Sequence, residues 1–201
     1  MEALIGVAGF LVVATATPGP NNLVVMRAAA RSGFLAALPA IGGVVIGGLA
    51  LLVVVITGAG ALFAVEPKLQ LVVTIGGCLY LVWLAVGLMI GRPDQNEAAT
   101  PGVSGRLTSG FGGLFVFQFL NPKGWVMLLT AASAVSASST PGALALLAAL
   151  FVPISLISLL AWALFGSLIM RCLARRAVRI WFDRAMGCLL LGVVALLPFE
   201  M

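Results

Sequence analysis

The chain has 201 residues, 62% of them hydrophobic and only 8% charged, with a formal charge of +5. A soluble domain carries about 25% charged residues, so too few polar side chains are present to coat a water-exposed surface, and lipid is the expected solvent. The positive balance does not point to nucleic acid, because the basic residues fall in short stretches between apolar runs, where such charge sets membrane topology.

A hydrocarbon core of about 30 Å takes roughly 20 residues of helix to cross. The apolar runs divide into spans at 3–26, 36–63, 68–90, 110–133, 142–169 and 181–199, giving an all-α integral membrane protein of six transmembrane helices. The opening Met1-Glu2-Ala3 lacks the basic region of a cleaved leader, so the first run is expected to remain as a span. Spans two and five exceed a straight crossing and are expected to tilt or kink, with Pro153 as a kink site in the fifth.

The polar stretch 91–109 reads as a linker between two halves of one membrane domain (1–201), a first three-helix unit at 1–90 and a second at 110–201. Arg27 and Arg31 follow span one, Arg92 and Arg106 sit in the linker, and Arg171, Arg175, Arg176, Arg179 and Arg184 lie before or at the start of span six. These nine basic residues fall on one side and only Lys68 on the other, which places loops one, three and five in the cytoplasm and both termini outside.

Span one is interrupted at Thr17-Pro18-Gly19-Pro20-Asn21-Asn22 and span four at Asn121-Pro122-Lys123-Gly124. Proline removes a backbone donor and clashes with the carbonyl four residues back, so carbonyls near Ala14 and Ala16 are expected to be freed, and in a membrane they must meet protein, water or a ligand. Thr17 is the expected N-cap of a second half-helix, with Pro18 at its first position; Asn121 and Pro122 repeat the arrangement. Such an N-terminus carries free N–H groups and partial positive charge, suited to a carboxylate. Asn21 and Asn22 add polar groups near the first break, and Gln118 lies one turn before the second.

Each half holds an odd number of spans, so the second enters from the opposite side. Together with the short echo of Gly77-Cys78-Leu79 in Gly187-Cys188-Leu189, the paired breaks indicate two inverted repeats, with helices 1 and 4 broken at mid-membrane. Lys123 lies thirteen residues after the start of span four, near the midplane. A lysine there costs about 2.5–3.5 kcal/mol on insertion scales, so a functional role is the default reading. Its ammonium either pairs with a substrate carboxylate, carries a proton during the cycle, or bonds structurally to broken-helix carbonyls. Gly43 and Gly47 favour close helix packing, Trp181 suits an interfacial belt, Trp83, Trp125 and Trp162 pack or line a cavity, and Tyr80 either packs or donates into the path.

Cys78, Cys172 and Cys188 lack metal-ligand spacing, no histidine exists, and no carboxylate pair lies within a span. Neither a metal, another cofactor nor acid–base enzyme chemistry is therefore expected.

At TPGPNN (17–22), FQFLNPKGWVMLLTAASA (117–134) and GCLYLVWLAVGL (77–88), the chain resembles the LysE/RhtB family of amino-acid exporters over nearly its whole length. Within that family it looks most like the cysteine/O-acetylserine exporter branch. The resemblance implies a six-helix protein of the bacterial inner membrane that exports an amino acid or close derivative, with the proton motive force as its drive. The family pattern falls on Pro18, Gly19, Pro20, Asn21, Asn121, Pro122 and Lys123. Many relatives carry Asp where this chain has Asn21, which leaves open the group that would carry the coupling proton. The expected partners are a small amino acid, protons and the lipid bilayer, with self-association compatible. The alternative of a divalent-cation exporter, found in remoter relatives, is disfavoured because the six acids fall at span ends or in loops while the midplane charge is positive.

Overall fold

A computed structural model describes residues 2–59, 65–90, 110–135, 140–169 and 176–196. The linker 91–109, the last residues of the second and sixth expected spans, and Cys172 lie outside the described residues.

Every described element is helical. In chain order they are α1 (Glu2–Ala16), α2 (Pro20–Ser32), α3 (Phe34–Val54) with a π-helical turn at Val55–Ala59, α4 (Pro67–Ile90), α5 (Phe111–Leu120), α6 (Pro122–Val135), α7 (Thr140–Ile169) and α8 (Arg176–Leu196). Among the described residues, two helical stretches, Phe34–Gly58 and Leu144–Ile169, are long and apolar enough to cross a membrane, and the pair Leu4–Ala16 and Pro20–Ser32, bent by 49°, makes a third if it counts as one span.

The first span differs from its sequence reading at the C-terminal side. Helix α2 runs on through Arg27 and Arg31 to Ser32, because Asp183 of α8 receives both guanidinium groups. One residue, Gly33, then turns the chain into α3; its φ of 90° lies in the left-handed region that a side chain disfavours. Helix α7 is continuous across Pro153.

Small residues set the helix spacing. A Cβ at Gly43 would overlap the Phe111 carbonyl, and one at Gly47 would lie 2.7 Å from the Phe115 carbonyl oxygen, so α3 rides directly on the α5 backbone as the small-residue pair predicts. Gly166 brings α7 equally close to α2 at Met26. Gly77 and Gly187, the echoed glycines, are both buried but meet unlike partners: Gly77 meets Leu120 and Pro122, whereas Gly187 meets Ala85 and Met89.

The packed interior falls into two apolar clusters. One joins Leu23, Met26, Val44, Leu114 and Leu159; the other joins Leu11, Leu51, Trp125, Leu128 and Phe151. Both helix breaks lie at the seam between them.

Candidate functional site

The local structure of each break follows from its prolines. A residue preceding proline is pushed out of the helical region. Gly19, ahead of Pro20, is accordingly extended at φ −151° and ψ 174°, and α2 begins at Pro20. The expected cap is thus displaced: Gly19, not Thr17, occupies the N-cap, and Pro20, not Pro18, opens the helix. Thr17 instead closes the preceding half, its hydroxyl donating to the Val13 carbonyl at 2.6 Å. At the second break Asn121, ahead of Pro122, is extended at φ −85° and ψ 102°, and α6 starts at Pro122 as its sequence indicates. The Asn121 carbonyl accepts from the Gly124 N–H at 3.0 Å.

The carbonyls released at the end of α1 are met by side chains. The Asn22 amide donates to the Thr15 carbonyl at 2.7 Å and to the Thr17 carbonyl at 3.0 Å. Ser158 of α7 donates to Thr15 at 2.9 Å, and the Lys123 amine donates to Thr17 at 3.1 Å. The acceptors met by these side chains, Thr15 and Thr17, lie beside Ala14 and Ala16, where released carbonyls were expected. Near the second break, the Trp125 indole donates to the Phe119 carbonyl at 2.9 Å.

A second link crosses between the breaks. The Asn21 side-chain amide donates to Oε1 of Gln118 at 3.0 Å, and Nε2 of Gln118 returns a bond to Oδ1 of Asn21 at 3.1 Å. Gln118 also donates to the Leu114 carbonyl, and its side chain is buried. Gly19 lies against Lys123 closely enough that a Cβ there would sit 3.1 Å from Nζ.

These contacts enclose a cavity of about 50 Å³. Of the residues singled out from sequence, Gly19, Pro20, Asn21, Asn22, Gln118, Asn121 and Lys123 line it. Thr17 and Pro18 are exposed beside it, with Thr17 contributing its carbonyl, and Pro122 is turned toward Gly77. Among the described lining residues Lys123 alone is ionisable, and Val44, Leu51, Leu128 and Phe151 supply apolar wall.

The sequence reading missed Thr15, Ser155 and Ser158. The two serines sit three apart, on one helical face just after Pro153, which was the available signal. Tyr80 packs between Trp83 and Phe117, with ring centroids 5.7 and 5.3 Å away. Trp181 is exposed, with the Arg184 guanidinium 6.0 Å from its ring.

Two of the three motifs that carried the family resemblance, 17–22 and 117–134, meet at this cavity, and the family model of the LysE type translocators matches residues 12–200. The chain belongs to the LysE type translocator family. Its members are transporters, so the chain is a transporter and not an enzyme, and its apolar helices are those of a bacterial membrane protein. The chain is 26% identical over 170 residues to the cysteine/O-acetylserine efflux protein of Escherichia coli O1:K1 / APEC, covering 81% of each chain. It is 28% identical over 167 residues to the protein of the same description from Salmonella choleraesuis (strain SC-B67), again covering 81% of each. No solved structure matches the chain with significance.

Proposed function

We propose that this LysE-type translocator exports an amino acid or a close derivative across the bacterial inner membrane, by alternating access, with protons as the coupling ion. In this reading the chain forms one membrane domain of six spans, with inverted units at 1–90 and 110–201 joined by a cytoplasmic linker at 91–109 and both termini outside. The substrate site comprises Gly19, Pro20, Asn21, Asn22, Gln118, Asn121 and Lys123, framed by Thr17, Pro18 and Pro122.

The observation that carries the proposal is the bond from the Lys123 amine to the Thr17 carbonyl at 3.1 Å. It joins the two interrupted helices at a cavity where a fixed positive charge and the start of α2 face one small space. A carboxylate suits such a place: the ammonium supplies the charge and the half-helix start supplies aligned dipoles. Paired discontinuous helices are also a common way for transporters to build a site. The efflux proteins similar to this chain support the amino-acid assignment. A hard divalent cation gains no carboxylate ligand from the described lining residues.

The test is reconstitution. Proteoliposomes loaded with labelled O-acetyl-L-serine, L-cysteine, L-serine, L-threonine or L-lysine are followed for efflux with and without an imposed pH gradient. Efflux of at least one amino acid above that of protein-free vesicles, accelerated by the gradient, is the expected result. Efflux that ignores the gradient would remove the proton from the proposal, and no efflux of any solute in the panel would remove the exporter reading.

A further inference from the structure

Two polar side-chain atoms on the cavity are buried and lack a hydrogen-bond partner: Oδ1 of Asn121 and the hydroxyl of Ser155. Asn121 is 2% exposed and Ser155 is 4% exposed. Leaving such a group unpaired is unfavourable, so each unpartnered atom calls for a reason. The neighbouring polar groups are engaged: Ser158, one turn along α7, is bonded to the Thr15 carbonyl, and Asn21 and Gln118 are bonded to each other.

The chemistry of the pair is specific. An amide oxygen only accepts, and a hydroxyl accepts as well as donates. The cavity therefore offers an ammonium at Lys123 and two neutral acceptors. We propose that Asn121 and Ser155 form the receiving subsite for the α-ammonium of a zwitterionic amino acid whose carboxylate lies toward Lys123. This assignment rests on the exporter reading above and adds a selectivity to it. The remaining wall of Val44, Leu51, Leu128 and Phe151 has no anion to meet a second cation. A basic side chain would be desolvated there without a partner, so the site takes amino acids with short uncharged side chains and rejects lysine and arginine.

Competition separates this proposal from the general one. Efflux of labelled O-acetyl-L-serine from proteoliposomes is measured with L-serine, L-glycerate or L-lysine as competitor. Glycerate replaces the ammonium of serine with a hydroxyl at nearly the same volume. Hydrogen bonds to a charged group are worth about 1.5–3 kcal/mol, so wild type should favour serine over glycerate by about tenfold or more, and L-lysine should compete poorly. Ser155→Ala and Asn121→Leu should each bring the serine-to-glycerate ratio toward one, mainly by weakening serine, and Ser155→Thr, which keeps the hydroxyl, should restore it. An unchanged ratio in well-inserted Ser155→Ala and Asn121→Leu proteins, or wild-type competition by lysine as strong as by serine, would overturn the subsite while leaving the exporter intact. A wild-type protein that carries no amino acid would overturn both.

Discussion

The Lys123 amine and the Thr17 carbonyl oxygen, 106 positions apart in the chain, lie 3.1 Å from each other. A released helix end and the Lys123 amine thereby meet, and both residues border the cavity or contribute to it. Removing the cation strips the cavity of its positive charge but leaves the Thr17 carbonyl with the Asn22 amide as donor. Lys123→Ala is therefore expected to reduce efflux to the level of protein-free vesicles at normal membrane abundance. Gly19→Ala should slow efflux in part, because its new Cβ would crowd Nζ at 3.1 Å and Cδ at 3.2 Å. Efflux rate normalised to inserted protein checks both.

Asn22 holds two carbonyls with one amide nitrogen and is 6% exposed. Asn22→Ala removes one of two donors from each carbonyl, Ser158 remaining on Thr15 and Lys123 on Thr17, so it loses two hydrogen bonds of about 0.5–1.5 kcal/mol each without stranding an acceptor. Asn22→Asp should be at least as damaging, since a carboxylate supplies acceptors where donors are required. For a chain of this size the loss corresponds to a fall of roughly 2–10 °C in Tm. Thermal unfolding in a mild detergent measures it.

Adjacent glycines in α4 offer a paired test of packing. A Cβ at Gly77 would overlap the Leu120 carbonyl and lie 2.8 Å from Pro122 Cδ, while a Cβ at Gly76 meets nothing within 4 Å. Gly77→Ala is expected to cost about 1–3 kcal/mol by overpacking, whereas Gly76→Ala should be neutral or slightly stabilising through helix propensity. Equal melting temperatures for the two variants would contradict the close approach of α4 to the second break.

Asp183 accepts from Arg27 at 3.1 Å and also from Arg31, and its side chain is 8% exposed against 23% and 20% for the arginines. Removing one member of a buried pair costs about 3–5 kcal/mol; the partial exposure of both arginines lowers the expected loss for Asp183→Ala to about 2 kcal/mol. Arg27→Gln alone should cost less, because Arg31 remains. Unfolding of the single and double variants, compared as a cycle, gives the coupling directly.

Much of this architecture is written locally. Prolines act on their immediate neighbours, so TPGP and NPK mark both interruptions without knowledge of the fold. The half-helix starting at Pro122 falls where the asparagine–proline pair places it. At the first break two prolines compete, and the extended conformation imposed on Gly19 moves the start of α2 to Pro20. Positions fixed by tertiary partners were not legible. Arg27 and Arg31 read as loop residues until Asp183, more than 150 positions away, is seen to receive them. Ser155 and Ser158 are ordinary residues of an apolar helix; only the seam between the two clusters divides them into one that caps a carbonyl and one that waits on the cavity.

The size of the cavity bears on speed as well as binding. At about 50 Å³ it holds only a handful of waters, at roughly 10–15 Å³ of such space for each. Under the alternating access proposed above, a solute enters only when the walls part. On the proposed cycle, the reciprocal amide clasp of Asn21 and Gln118 and the ring of Phe151 against Gly48 must yield before loading. The frequency with which they yield then sets an upper limit on turnover, even when solute is abundant.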